Sequence, residues 1–148
     1  MSFAEKLEKL KNILGAVSDL RAASELLDWD MRTYMAPGSI DSRSLQLATL
    51  GEIAHEKITS REFGKLIGKL QRKAKKLDPD SDERRLIEKV YRDYEKEHRL
   101  PAEWVRRNAE ACSRANSAWE RAREEKNFKT FAPHLQELLD LTFERLSW

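Results

Sequence analysis

Apolar side chains recur at alternating intervals of three and four residues along almost the whole chain, and this pattern constrains the fold more than any other feature. Such spacing places them on one face of an α-helix, whereas a half-buried strand requires alternation at every second residue. Only five Gly and four Pro interrupt the 148 residues, and charged residues, at 36%, are numerous enough to form the solvent faces of long helices. The sequence therefore predicts an all-α fold without a sheet.

The first helix has a clear start and a less clear end. Ser2 and Glu5 form a capping-box pattern, in which each side chain bonds the other residue's backbone N–H. The apolar stripe that follows changes phase near Gly15, so we expect one long or slightly broken helix. We expect it to end around residues 28–30, and we predict an irregular segment over residues 29–38, which contains a Pro-Gly pair.

Turn formers divide the remaining sequence into further helices. The second helix is predicted to bury Leu47, Leu50, Ala54 and Ile58, which share one face. Other expected boundaries are a capping box at Thr59 and Glu62, a turn and cap at Asp78 to Ser81, a first helical turn at Pro101 and a connector from Asn127 to Ala132. We therefore predict a bundle of five or six mostly antiparallel helices, forming a single helical domain over residues 1–148.

Composition excludes several classes of function. One Cys allows neither an internal disulfide nor a multi-thiolate zinc site, which favours a reducing compartment and hence a cytoplasmic location. No run of about 18 apolar residues is present, and residues 1–14 lack the apolar core of a secretory signal, so we expect no membrane contact. A net charge of +2 gives little drive to bind nucleic acid, and none is expected as a partner.

One segment begins like a zinc-protease motif. His55 and Glu56 start the pattern HExxH, but Thr59 stands where the second His is required. Zinc in such a site needs two imidazoles on one helical face, and a Thr does not replace either. We therefore interpret His55 as a residue at the margin of a helix face.

Two Glu-x-x-His pairs offer a weaker metal alternative. Glu52 with His55, and Glu95 with His98, match the spacing that supplies ligands in helical di-iron carboxylate bundles. At about 100° per residue, however, both pairs lie off the predicted apolar stripes and point outward rather than into a core. The di-iron bundle remains an alternative, and we assign no metal ligand and no cofactor to this chain.

No other constellation indicates catalysis. Cys112 lies in the predicted buried stripe of the fifth helix, where a Cys usually acts as a small hydrophobe. The cluster Lys73, Lys75 and Lys76 suits the negative end of the third helix's dipole. The sequence has no Gly-rich phosphate loop and no nucleophile elbow, and its three His are scattered over different helices. We predict no catalytic residue.

Several segments together carry a resemblance. Residues 22–38 read AASELLDWDMRTYMAPG, and further matching stretches are 42–50 (SRSLQLATL), 92–95 (RDYE), 100–105 (LPAEWV), 119–123 (WERAR) and 128–135 (FKTFAPHL). In order and spacing this sequence resembles the N-terminal region of the carboxypeptidase Taq family. Members of that family are helical, zinc-dependent metallocarboxypeptidases that remove residues from the C-termini of peptides.

The resemblance implies that the catalytic part is absent. The family's zinc site and its other catalytic motifs lie in the longer portion that follows this region, and residues 30–33 do not match the family's D-x-R-x-T motif. We therefore expect a free-standing or truncated N-terminal domain, inactive by itself. The alternative is a helical interaction or scaffold module that has kept the shape and lost the chemistry.

The resemblance also implies a surface. Helices of this region form a wall or lid beside the peptide cleft, which suggests a cleft or partner surface at Trp29, Arg32, Tyr34 and Met35. The alternative is that these side chains fill the domain's own core. We expect either a homo-oligomer or a catalytic-domain partner, with peptide contact as a further expectation.

Overall fold

Helices account for nearly all of the structure. The computed structural model describes residues 1–147, and within that range it contains six α-helices and no strand. The helices are α1 (Phe3–Thr33), α2 (Ile40–Thr59), α3 (Arg61–Ala74), α4 (Asp82–Glu97), α5 (Ala102–Glu124) and α6 (Ala132–Arg145), with short 3-10 turns at Pro37–Ser39 and Phe128–Thr130. The predicted all-α fold is confirmed.

The first helix is longer than its sequence suggests. Its capping box is confirmed, because the Ser2 N–H donates to Glu5 Oε2 at 2.6 Å and the Glu5 N–H donates to Ser2 Oγ at 3.2 Å. No break occurs at Gly15, and the helix runs to Thr33 rather than ending at residues 28–30. A Gly inside a helix costs only about 1 kcal/mol relative to Ala, which a 31-residue helix absorbs.

The chain divides into two compact units, which we describe separately. Unit 1 comprises Met1–Asp19 and Ala54–Arg99, and unit 2 comprises Leu20–Ile53 and the described chain from Leu100 onward. Both α1 and α2 therefore contribute one part to each unit. The single domain over residues 1–148 stays a prediction.

Unit 1 is centred on the pair α3 and α4. The inner face of α3 consists of five buried side chains, Phe63, Leu66, Ile67, Leu70 and Ala74. The two helices run antiparallel, because Gly64 near the start of α3 meets Tyr94 near the end of α4, while Arg84 donates to the Leu77 carbonyl at the opposite end.

The helix caps show where sequence reasoning was accurate to within a residue. Ser60, not Thr59, caps α3, and its Oγ accepts from the Phe63 N–H at 3.1 Å. Ser81 caps α4 as predicted. Pro101 is the residue before α5 rather than a member of its first turn. These turn regions were thus correctly located, and the boundaries at Thr59 and Pro101 were each wrong by one residue.

Unit 2 contains a second antiparallel pair, α5 and α6. The indole Nε1 of Trp104 donates to the Leu141 carbonyl oxygen at 3.1 Å, and Arg114, further along α5, pairs with Glu137, which lies earlier in α6, at 3.0 Å. Trp104, Leu141 and Ala111 form a buried cluster between these helices. The antiparallel arrangement of this pair is confirmed.

The buried face of α2 agrees with the predicted one only in part, because Ala54 and Ile58 are buried as predicted but the two leucines are not. Leu47 and Leu50 are only half-buried, whereas Ser44, Ala48 and His55 are buried. Small side chains such as Ser and Ala allow a neighbouring helix to approach more closely than Leu does, so the helix turns this narrower face inward. His55 lies on that rotated face, so the expectation that it points outward is wrong.

None of the helices within residues 1–147 combines the length and the hydrophobicity that crossing a lipid bilayer requires.

Candidate functional site

The second half of α1 presents large apolar side chains to solvent. Leu26 is 64% exposed and Trp29 is 54% exposed, and together with Ala22 and Thr33 they follow the spacing of one helical face. Tyr34, just past the helix end, is 80% exposed and its ring lies 5.5 Å from that of Trp29. We call the exposed set Ala22, Leu26, Trp29, Thr33 and Tyr34 the α1 apolar face.

The structure distinguishes the two roles predicted for residues 29–35, which are an exposed cleft or partner surface and the filling of the domain core. Trp29 and Tyr34 do not fill the core, so that alternative is wrong for them. Met35 is half-buried, and the buried side chain of the segment is Met31, on the opposite side of α1 from Trp29. Trp29 lies on a helix rather than in the irregular segment that the sequence predicts. Its exposure at a helical position suits a surface that another polypeptide covers.

Four polar contacts explain why α1 continues through this region. Asp28 accepts two hydrogen bonds from the Arg32 guanidinium, at 2.8 and 3.2 Å, one turn apart along the helix. Arg43 of α2 lies 2.7 Å from the Asp30 carboxylate and donates to the Leu27 carbonyl oxygen at 2.6 Å. Charged donors near a helix C-terminus are favourable, so these arginines fix the last turns of α1.

Arg32 also borders a cleft with a volume of about 380 Å³. It is bounded by α1, α2 and α5, and its lining residues are Ser24, Glu25, Asp28, Met31, Arg32, Leu47, Ala109, Cys112, Ser113 and Asn116. Of the four residues predicted from the sequence to form a cleft or partner surface, Arg32 is the one that lines this cleft, and it is adjacent in sequence to Thr33 of the α1 apolar face.

The charges of the cleft are largely paired. The hydrogen bond that Arg32 donates to Asp28, together with the negative charge of that carboxylate, raises the pKa of Arg32, and Glu120 adds a smaller contribution in the same direction. The guanidinium is thus cationic at any working pH. Glu25 contributes a second carboxylate, and Ser113 a buried hydroxyl-bearing residue. The lining offers hydrogen-bonding groups for binding.

Cys112 lines this cleft, which the sequence did not predict. The residue is exposed rather than buried in a small-residue stripe, so the sequence interpretation of Cys112 is wrong. Partial burial of the thiol raises its pKa, which keeps it protonated near neutral pH. None of the described residues that line the cleft is a His, so no imidazole lies there to activate the thiol as a general base.

The residues of the di-iron alternative each have a separate environment. The buried His55 has its Nδ1 3.5 Å from Glu97 Oε2, and the His98 ring stacks on Tyr94 at 5.1 Å. Glu95 accepts a hydrogen bond from the Tyr91 hydroxyl, which raises the pKa of that phenol. Within residues 1–147 no group of three or more His, Cys, Asp or Glu is placed to hold a metal ion.

Glu52 belongs to the other unit and has its own partner. Its carboxylate lies 3.9 Å from the Arg106 guanidinium, within unit 2. A di-iron bundle requires carboxylates and imidazoles that converge on one point. These four side chains do not provide that arrangement.

Fold and site together define a helical protein with an exposed aromatic surface, and comparison with known proteins identifies its class. The sequence profile of the carboxypeptidase Taq (M32) metallopeptidase family matches residues 9–147. This chain belongs to that family.

Individual relatives agree. The chain is 29% identical to thermostable carboxypeptidase 1 of Thermus thermophilus over 85% of its own length, and 30% identical to thermostable carboxypeptidase 1 of Pyrococcus furiosus over 90%. It covers only 25% and 27% of those two proteins. The chain therefore spans about a quarter of the length of these relatives.

Solved structures show the same partial correspondence. The crystal structure titled BsuCP superposes with a TM-score of 0.90 at 23% identity, covering 97% of this chain and 28% of that one. The structure of the Pyrococcus furiosus carboxypeptidase superposes with a TM-score of 0.66 at 25% identity, covering 95% and 28%. The first likeness, below 25% identity, supports the fold alone.

Proposed function

We propose that this chain serves as the N-terminal helical part of an M32-type metallocarboxypeptidase and does not hydrolyse peptides by itself. The observation that carries the proposal is the family match over residues 9–147 in a chain that spans about a quarter of its relatives. Those relatives are named carboxypeptidases, so the reaction that the complete assembly would perform is release of C-terminal residues from peptides.

The zinc that the family resemblance implies does not fit the described residues. A catalytic zinc needs three protein ligands and an open position for water. In the only HExxH-like segment the second His is replaced by Thr59, whose hydroxyl donates to the His55 carbonyl oxygen at 2.8 Å. Because no suitable group of three ligands occurs within residues 1–147, we derive no catalytic step for this chain.

Unit 2 supplies the surface through which the metal-binding portion would dock. Besides the α1 apolar face, α6 has an exposed apolar stripe of Leu139, Phe143 and Leu146, which are 42%, 66% and 77% exposed. These positions fall within about 60° of one another on the helix, whereas the packed residue Leu141 lies on the far side. We call the stripe the α6 apolar face.

The energetics favour a polypeptide partner for these faces. Burying one large apolar side chain contributes about 1.5–3 kcal/mol, so Leu26, Trp29 and Phe143 alone represent several kcal/mol that the isolated chain does not realise. A surface with this much exposed aromatic area is typical of a protein interface. The occupant we propose is the metal-binding portion of an M32 protein, either continuous with this chain or separate.

A peptidase assay tests the first half of the proposal. Purified chain is incubated with N-blocked peptides bearing free C-termini, with added zinc, and amino-acid release is measured. We expect no release above the buffer blank, while the Thermus thermophilus relative, assayed in parallel, turns over. Metal-dependent release that a chelator abolishes would show that the chain is an enzyme on its own.

Affinity purification from the native cells tests the second half. We expect mass spectrometry to find an HExxH sequence, either in the same polypeptide or in a stoichiometric partner. If the partner is separate, replacing Trp29 and Tyr34 by Ser is expected to release it. Phe128→Ser is the matched control, because Phe128 is 63% exposed and belongs to neither apolar face.

A non-catalytic scaffold is the second candidate function. The same exposed apolar faces favour it, since they bind a helical partner whether or not that partner carries chemistry. Purification of a stoichiometric partner without an HExxH sequence supports this candidate and contradicts the first. A cytoplasmic location, based on the single Cys, is part of either proposal.

A further inference from the structure

The solvent face of α3 is strongly basic. Between residues 61 and 76 the sequence has seven Lys or Arg and a single acidic residue, Glu62. Glu62 is already paired with Lys9 of α1, which lies in the same unit. The dipole of α3 accounts for the cations in its last turn, but it does not account for Lys65 and Lys69 in the middle of the helix.

Four of these cations line a groove between α3 and α4. The groove has a volume of about 480 Å³ and is bordered by Lys65, Lys69, Arg72, Lys75 and, on α4, Tyr91. Its floor is Gly68, where an added Cβ would meet no atom within 4 Å. The missing side chain therefore leaves open space beneath the charged groups. We call this feature the basic groove.

None of the four cations of the basic groove forms an ion pair with a carboxylate of the described chain. Among residues 1–147, the one side-chain hydrogen bond of the set runs from Arg72 Nε to the Gly68 carbonyl oxygen, at 3.3 Å. Basic side chains elsewhere in unit 1 do have partners: Lys89 lies 2.7 Å from Asp93, and Arg85 lies 2.7 Å from Asp80. The like charges of the groove repel one another without compensation from within the protein.

We propose that the basic groove binds an acidic polypeptide segment. Lys65 and Lys75 are ten residues apart, which corresponds to about 15 Å along the helix. An extended peptide places alternate side chains about 7 Å apart, so three carboxylates at every second position of a five-residue stretch span about 14 Å, close to the length of the groove. The long aliphatic stems of the lysines and the open floor at Gly68 accommodate the peptide backbone.

The lining favours a polypeptide over a nucleic acid. Grooves that bind single strands combine a positive track with several aromatic rings on which bases stack. The basic groove is lined by one ring, Tyr91, and its hydroxyl is bonded to the carboxylate of Glu95. Its short positive track would also release few counterions from a phosphate backbone. The inference is independent of the proposed function, because it involves unit 1 alone.

Fluorescence anisotropy with the full chain tests the proposal. The probe is a fluorescein-labelled decapeptide with Glu at alternate positions, and the reference probes are its Gln analogue and a ten-nucleotide single-stranded DNA. We expect the Glu peptide to bind at low salt and to bind more tightly than both reference probes. Its affinity should fall by about tenfold or more as the salt concentration rises to physiological strength.

Three variants locate the binding. The double variant Lys69→Glu and Arg72→Glu is expected to lower the affinity for the Glu peptide by at least about tenfold. Lys89→Glu with Arg92→Glu makes the same change in net charge outside the groove and is expected to have less than about a threefold effect. Gly68→Met fills the floor without changing charge and is expected to weaken binding as well. Circular dichroism confirms that each variant is folded.

Three results overturn the proposal. The first is no binding of the Glu peptide at low salt. The second is an equal loss in the groove variant and in the Lys89 and Arg92 control, because attraction would then be diffuse. The third is tighter binding of the DNA than of the peptide, which would assign the basic groove to nucleic acid.

Discussion

The environment of the Cys112 thiol in the cleft of unit 2 can be tested by its rate of alkylation in solution. Partial burial raises the pKa of Cys112 above the usual value for a thiol, because the thiolate is the form that loses hydration. We expect native Cys112 to react slowly with iodoacetamide at neutral pH. Its rate should rise with pH along a curve whose midpoint lies above that of the urea-unfolded chain. Coincident midpoints in the two states would contradict this assignment.

Two glycines of α3 differ in what a methyl group would meet. A Cβ at Gly64 would overlap the Tyr94 hydroxyl oxygen, whereas a Cβ at Gly68 would meet open space. Tyr94 also contacts Phe63 at 5.8 Å, so its ring does not move away freely. We expect Gly64→Ala to lower the free energy of unfolding by about 1–2 kcal/mol, and Gly68→Ala to raise it by about 0.5–1 kcal/mol.

Urea unfolding of the two variants measures this difference. A background of Tyr94→Phe removes the nearest atom, so Gly64→Ala should cost less there than in the natural sequence. An equal cost in both backgrounds would show that the clash with the hydroxyl is not the cause.

At the residue scale, the buried face of α5 was predicted correctly at some positions and wrongly at others. In α5 the buried alanines are Ala111, Ala115, Ala118 and Ala122. The predicted stripe also contained Ala115 and Ala122, but it placed Cys112 on the buried face, where the structure has Ala111. Both phases are rich in small residues, so periodicity alone does not distinguish them. The distinction comes from the neighbouring chain, which no local pattern contains.

At the scale of a helix, the start of α3 provides a direct test of which hydroxyl caps it. Ser60 Oγ accepts from the Phe63 N–H, whereas the Thr59 hydroxyl donates to a carbonyl of the preceding turn. We expect Ser60→Ala to reduce the free energy of unfolding by about 1 kcal/mol and Thr59→Ala by less than about 0.5 kcal/mol. Thermal or urea unfolding measures both, and a larger loss for Thr59→Ala would restore the cap that the sequence suggested.

Element boundaries were predictable where the chain carries its own signal. The capping box at Ser2 and Glu5 and the cap at Ser81 use short-range contacts, and both are confirmed. The end of α1 is set instead by Arg43, which reaches back 13 residues to Asp30 from another helix. Local periodicity contains no information about a partner at that distance. The helix end predicted from the sequence is therefore too early, and Trp29 was assigned to a loop.

At the scale of the whole molecule, exposed apolar area is unevenly distributed. Of the large hydrophobic side chains that are exposed among residues 1–147, all except Met1 belong to unit 2. Family membership was predictable from the sequence, because matching segments occur along nearly the whole chain. Which surface is left uncovered was not, since exposure depends on how helices distant in sequence pack.

This uneven surface predicts self-association of the isolated chain. With no other partner present, the α1 and α6 apolar faces of two molecules have only each other to bury against. We expect the sedimentation coefficient to increase with protein concentration over the micromolar range. Leu139→Gln with Phe143→Gln removes two exposed apolar side chains, each worth about 1.5–3 kcal/mol on burial, and should weaken association by at least about tenfold.

Phe128→Gln is the matched control for this experiment, because it removes an equally exposed ring of unit 2 from outside both faces. It should leave the concentration dependence of sedimentation largely unchanged. An equal effect of the control would indicate nonspecific hydrophobic attraction, which any exposed ring provides. A natural chain that sediments as a monomer at every concentration would show that these faces do not associate with themselves, and that the apolar surface requires a different polypeptide.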